Sequence, residues 1–216
     1  MHHTHTGRNR RHFIASAAVL GLSPWLHAST TPHVLIVGDS LSAEYGLERG
    51  SGWVALLQDK LQKEKRAARI TNASISGETT SGGRSRLPAL LQQHQPSVVV
   101  IELGGNDALR GLPLAGTLDN LRAMTQAAQD AGAKVLLLGM QMPPNYGKKY
   151  AQDFEHIYTK VAQERKAALL PSFLKGVADA PNPTALFQAD RIHPTEQAQA
   201  LLLRNVWPHL QPLLQP

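Results

Sequence analysis

The sequence predicts an α/β protein built on a doubly wound parallel sheet. Short, continuous apolar runs, Val34-Leu35-Ile36-Val37, Val98-Val99-Val100-Ile101 and Val135-Leu136-Leu137-Leu138, are the pattern of strands buried on both faces. Between them the apolar residues change to a helical period. The residues that carry chemistry then follow the strands, where such sheets place their sites.

Val34 to Val37 is the first strand. Trp53, Leu57 and Leu61 recur at i+4, with Gln58, Asp59, Lys60 and Lys63 on the other faces, and give the first helix. Ile70 to Ala73 is a short strand candidate, followed by a helix over Thr80 to Gln93. Val98 to Ile101 is the next strand, and Leu118, Leu121, Met124 and Ala128 mark the helix after it. Val135 to Leu138 is the fourth strand, with a helix over Phe154 to Ala168. Leu169-Leu170-Pro171 begins a fifth strand, and Pro194 to Val206 closes the pattern as a helix.

Residues 1–28 are set apart as an export signal. Arg8, Arg10 and Arg11 precede an apolar stretch from Phe13 to Leu22 and the exit Leu26-His27-Ala28, with no acidic residue in the segment. Cleavage is expected after Ala28, leaving a domain over residues 29–216 in the periplasm or the medium. Asn9-Arg10-Arg11-His12-Phe13-Ile14 also fits a twin-arginine signal, so the export route stays open. His2, His3 and His5 belong to this leader rather than to a metal site. No later stretch approaches the roughly 20 apolar residues of a membrane span.

Three of the six net positive charges lie on the leader arginines. What remains is scattered, and Lys60 to Arg69 reads as a solvated face, so nucleic acid is not an expected partner. The absence of cysteine removes disulfides, thiolate metal sites and lipoprotein attachment. Gly77-Glu78-Thr79-Thr80-Ser81-Gly82 has the spacing of a phosphate loop, but Gly83-Arg84 stands where Lys-Ser/Thr is required. Neither a His-Glu-x-x-His zinc motif nor a Gly-x-Ser-x-Gly elbow occurs.

The chemistry is carried by Gly38-Asp39-Ser40-Leu41-Ser42 and Asp190-Arg191-Ile192-His193-Pro194. A hydroxyl must lose its proton as it attacks; an imidazole can take it, and a carboxylate can hold that imidazole in the right tautomer. Ser40, His193 and Asp190 are the candidates for these roles. Asp39 adjoins the nucleophile and is badly placed to reach the distal nitrogen of the base. Asp39 and Asp107 are expected to fasten loops through nearby backbone N–H groups. His33, His94, His156 and His209 have no catalytic partner in sequence and are assigned to surface or boundary positions.

Gly77 follows the second strand, and Gly104-Gly105-Asn106-Asp107 follows the third. With these four ordered blocks the chain resembles the SGNH (GDSL) hydrolase family. Within it, Asn72-Ala73-Ser74-Ile75-Ser76-Gly77, Glu102-Leu103-Gly104-Gly105-Asn106-Asp107 and Pro144-Asn145-Tyr146-Gly147 are most similar to the bacterial periplasmic arylesterase, acyl-CoA thioesterase I and lysophospholipase L1 group. The resemblance implies a three-layer α/β/α fold with a five-stranded parallel sheet in flavodoxin-like order, and no metal or organic cofactor. It implies a serine esterase that forms an acyl-enzyme on Ser40, with the Ser40 and Gly77 N–H groups and the Asn106 amide as oxyanion donors. A glycine at 77 leaves its N–H unobstructed.

The expected substrates are aryl esters, acyl-thioesters and lysophospholipids, met by a monomer in transient contact with membrane lipids. A carbohydrate O-acetylesterase is the rival enzyme, though aromatic-poor loops offer little surface for stacking sugars. A non-catalytic lipid-binding protein on the same fold is the alternative of another class. Gln141 to Gly147 leaves the fourth strand on the edge that carries Ser40, so Met142, Pro143 and Pro144 are expected to wall an acyl pocket, faced by Leu109 and Leu112. An ordinary connection with turn prolines is the plain reading of that segment.

Overall fold

The computed structural model describes residues 1–3, 31–142 and 146–215. Most of the expected leader, and Pro143 and Pro144 of the expected pocket wall, lie outside the described residues. Strands β1 (His33–Gly38), β2 (Arg69–Asn72), β3 (Val98–Glu102), β4 (Lys134–Leu138) and β5 (Ala168–Leu170) form one parallel sheet in the order β2-β1-β3-β4-β5. This is the flavodoxin-like order, and its direction of winding reverses between β1 and β3, where such sheets open a crevice.

Among the described residues, six α-helices accompany the sheet: α1 (Trp53–Lys63), α2 (Thr80–His94), α3 (Gly105–Leu109), α4 (Leu114–Asp130), α5 (Lys148–Arg165) and α6 (Glu196–Leu210). Helix α1 packs on α6, while α4 packs on both α2 and α5, so the sheet lies between two helical layers. Val34 to Val37, Val98 to Ile101 and Leu136 to Leu138 are fully buried, which is why they read as unbroken apolar runs. Each such side chain contributes roughly 1.5–3 kcal/mol through burial. The edge strand β2 is polar and partly exposed, and β5 has only three residues. Short, polar edges resist pairing with another chain.

The helices differ from expectation mainly at their ends. Helix α5 starts six residues before Phe154; Lys148, Lys149, Gln152 and Asp153 of its first turns face solvent, and Tyr150 and Ala151, the two that pack on the core, are too few to show a stripe. It ends at Arg165 where Lys166 turns left-handed (φ 51°), which frees Ala168 for β5. Helix α6 begins after Thr195 and runs through Pro208 to Leu210, beyond the expected end at Val206. The five-residue α3 is too short to show a period, and it was not expected.

His33 is buried, not at the surface. Its ring nitrogens lie 2.8 Å from the His94 carbonyl and 2.8 Å from the Thr71 hydroxyl, so it bridges β1, β2 and the end of α2. Burial pushes this imidazole below its ordinary value and favours the neutral ring.

Candidate active site

Ser40 leaves β1 in a tight turn whose N–H groups at Ser42 and Ala43 return to the Asp39 carbonyl. His193 and Asp190 sit on the connection from β5 to α6, held shut by a Phe187–Pro194 bridge and by Gln188 N–H donating to the His193 carbonyl at 2.8 Å. Asp190 Oδ1 accepts from the N–H groups of Ile192 (2.9 Å) and His193 (3.0 Å), a local turn that aims its other oxygen at the ring. Asp190 Oδ2 lies 2.6 Å from His193 Nδ1, and His193 Nε2 lies 2.8 Å from Ser40 Oγ. With Nδ1–H donating to the carboxylate, Nε2 is left to accept the serine proton.

Burial alone would raise the Asp190 carboxyl. The hydrogen bonds from the His193 backbone, its ring and the Ile192 N–H outweigh burial and hold it down at about 2, against an ordinary 3.8. A depressed carboxyl stabilises the fold above its unfolded value and loses that contribution as the pH falls through the folded one. Acid unfolding of the wild type should therefore include a component between about pH 4 and pH 2 that is missing in Asp190→Asn. Unfolding midpoints measured across that window check it, and identical slopes in both proteins would show that the carboxyl is not depressed.

Asn106 lies on α3, directly after β3, and its Nδ2 donates to Asp39 Oδ2 at 2.9 Å. Asp39 Oδ1 accepts the Leu41 N–H at 3.0 Å, as its expected loop-fastening role requires. Asp107 does not bond its own loop. It accepts from the Thr80 N–H (2.9 Å), the Thr80 hydroxyl and Thr117 Oγ1 (3.3 Å), fastening α3 to the start of α2 and to α4.

Gly77 stands on the loop after β2, and Arg110 Nη2 donates to its carbonyl at 2.8 Å. Of the protein, a Cβ there would meet only Arg110 Nη2 at 3.5 Å, so packing against the chain does not demand a glycine. The backbone is the reason, since φ is 78°. Among the described residues neither the Ser40 nor the Gly77 N–H donates to a protein acceptor. Such donors are free for an anionic oxygen.

Beneath this turn is a carboxylate that sequence reasoning passed over. Parallel pairing sets Glu102 beside Gly38. Fully buried, Glu102 accepts through Oε2 from the Asp39 N–H (3.2 Å) and the Ser42 hydroxyl (2.8 Å), while Oε1 has no partner among the described residues. Burial, then the neighbouring Asp39, pushes the Glu102 carboxyl well above its usual range. Burial likewise raises Asp39 to about 6, against the hydrogen bonds from Leu41 and Asn106. Tyr45 and Gln188 were also missed. The Tyr45 ring lies 4.4 Å from the His193 ring, centroid to centroid, and Gln188 Nε2 donates to the Tyr45 carbonyl at 2.9 Å, tying the two loops together.

Ser40, Asn106 and His193 line one cleft of about 510 Å³, together with Leu109 and Met142. Gly77 and Leu112 are not among its lining residues. Leu112 instead points its side chain to solvent. A second depression of about 430 Å³, between Lys134, Lys166 and Leu213, brings together no hydroxyl, imidazole or carboxylate.

The model of the GDSL-like Lipase/Acylhydrolase family matches residues 36–201, a span that takes in Ser40, Gly77, Asn106, Asp190 and His193. The chain belongs to this family. "Esterase TesA" of Pseudomonas aeruginosa is 54% identical over 181 residues, 84% of this chain and 89% of that protein. The Escherichia coli K12 "Thioesterase 1/protease 1/lysophospholipase L1" is 43% identical over 187 residues, 87% of each. A crystal structure of TesA superposes with a TM-score of 0.81 at 54% identity, covering 84% of this chain and 99% of that one. The psychrotrophic esterase EstA from Pseudoalteromonas, inhibited by monoethylphosphonate, superposes at 0.79 with 40% identity, covering 84% and 98%. This acylhydrolase is a carboxylic ester hydrolase on the expected five-stranded α/β fold.

Proposed function

We propose that Ser40 is the nucleophile, His193 the base and Asp190 the group that orients it. The observation that carries this reading is the His193 ring bridging Ser40 Oγ and Asp190 Oδ2 within hydrogen-bond distance. Ser40 Oγ attacks the acyl carbonyl as His193 Nε2 takes its proton. The carbonyl oxygen becomes an anion facing the Ser40 and Gly77 N–H groups and Asn106 Nδ2. The intermediate collapses as His193 returns the proton to the leaving group, and water deacylates Ser40 by the same steps.

Thiols and phenols leave as anions near neutral pH, while amines need full protonation. Thioesters and aryl esters are therefore the easiest substrates. Lysophospholipids and other acyl esters of the envelope are the proposed physiological class, met by a monomer in transient contact with lipid. Leu109, Met140, Met142, Leu174, Phe187 and Ile192 give the cleft apolar walls, which suit an acyl chain better than a sugar. Relatives named esterase, thioesterase and lysophospholipase support the same class.

The test is chain length. For p-nitrophenyl esters from two to about sixteen carbons, kcat/KM should rise by up to about fourfold per methylene until the cleft is full, since each buried methylene contributes about 0.8 kcal/mol. Met142→Ser with Leu109→Ser should flatten that rise. A preference unchanged by both substitutions would put the chain elsewhere. Residues 1–28 are proposed as an export signal on the sequence pattern alone. Protein from the native host should begin near Ser29, in the periplasm or the medium; an intact Met1 on a cytoplasmic protein would remove that assignment.

A further inference from the structure

Five connections leave the carboxyl edge of the sheet, and each carries a large apolar side chain that remains exposed. These are Tyr45 after β1, Ile75 after β2, Leu109 and Leu112 between β3 and α4, Tyr146 after β4 and Ile192 after β5. Among the described residues from 31 onward, no other large apolar side chain is so exposed. Scattered single residues would need no explanation, whereas confinement to one edge does. The acyl cleft does not account for it, because Ile75, Leu112 and Tyr146 line no part of that cleft.

The charges on this edge have a matching bias. Arg110, Lys148 and Arg191 are exposed and have no carboxylate partner among the described residues. Of the acids on the same connections, Asp190 is engaged with His193, Glu78 with Arg86, Glu44 with the Gly50 and Gly52 N–H groups and Asp179 with the Gly176 N–H, while the exposed Glu48 is matched by the adjacent, equally exposed Arg49. Apolar side chains among unpaired cations, around the mouth of an acyl cleft, fit an interface of acyl chains beneath anionic headgroups.

We propose that this edge is a docking surface for phospholipid membranes bearing anionic headgroups. Tyr45, Ile75, Leu112 and Tyr146 enter the headgroup region while the guanidinium groups meet phosphates. Leu109 and Ile192 belong both to this exposed set and to the lining of the cleft that holds Ser40, so docking presents Ser40 to an ester held at the interface. The proposal rests on the acyl-ester reading for its purpose, but its test does not need turnover.

Full-length Ser40→Ala protein, unable to consume the lipid, is sedimented with vesicles of phosphatidylglycerol and phosphatidylcholine in equal parts, and with vesicles of phosphatidylcholine alone. It should bind the anionic vesicles preferentially and be released by salt. Adding Ile75→Ser and Leu112→Ser should reduce binding by about tenfold, since interfacial affinity follows the apolar area inserted. In the active enzyme the same pair should leave hydrolysis of p-nitrophenyl butyrate unchanged and slow hydrolysis of lysophosphatidylglycerol aggregates. Ser40→Ala protein that stays in the supernatant with anionic vesicles overturns the proposal, as does a double variant that binds like its parent. So does a result in which the two substitutions abolish a dimer and change no vesicle binding. Failure of the ester assay would strike the proposed chemistry, while the vesicle result still decides docking.

Discussion

Ser40→Ala is expected to lower kcat by about 10⁴- to 10⁶-fold on any activated ester, with the fold intact. The hydroxyl is only half-buried, and its hydrogen-bond partner is His193, so its loss removes one polar contact and leaves no buried group unpaired. His193→Ala should cost about as much. The double variant should be no slower than either single one, because nucleophile and base act as a unit. Asp190→Asn should cost less, since the carboxylate orients the ring while the imidazole moves the proton. Steady-state rates on p-nitrophenyl butyrate give these ratios. A monoalkyl phosphonate ester with a good leaving group should add covalent mass to the wild type and none to Ser40→Ala. Near wild-type turnover in pure Ser40→Ala protein would end the mechanism, and labelling of that variant would move the nucleophile elsewhere.

What the sequence reveals of this molecule follows burial and chain distance. β1, β3 and β4 are legible because both of their faces are covered, which leaves no polar residue to interrupt Val34–Val37, Val98–Ile101 or Leu136–Leu138. The first turns of α5 are hidden because Lys148 and Lys149 face solvent. Ser40, Asn106, Asp190 and His193 could be read because each stands in a short local block, with Asp190 and His193 close enough to share a turn. Glu102 could not. In sequence it is a polar residue ending a strand, and only the pairing of Gly38 with Glu102 brings it beneath the nucleophile turn. Tyr45 and Gln188 were hidden for the same reason, since they meet across a separation of 143 residues.

Asn106→Ala is the second large effect, a loss of about 10² to 10³ in kcat with little change in KM. In the ground state the ester oxygen is a weak acceptor; in the tetrahedral intermediate it carries a full charge, so a fixed donor acts mainly on the barrier. Asn106 is fixed twice over. The helix α3 sets its backbone, and Asp39 Oδ2 holds one N–H of its amide, leaving the other available on a residue that lines the cleft. Asp39 is itself held by the Leu41 N–H, and the turn beneath it by Glu102. Asn106→Asp should therefore fare no better than alanine, because it replaces the donor with an acceptor and sets a carboxylate against Asp39. Asn106→Gln keeps the amide but lengthens its reach, and should recover only part of the loss. If Asn106→Ala raises KM and spares kcat, the amide binds substrate and does not stabilise the intermediate. If all three variants keep kcat within about twofold, the oxyanion lies outside its reach and the backbone N–H groups of Ser40 and Gly77 carry the charge without it.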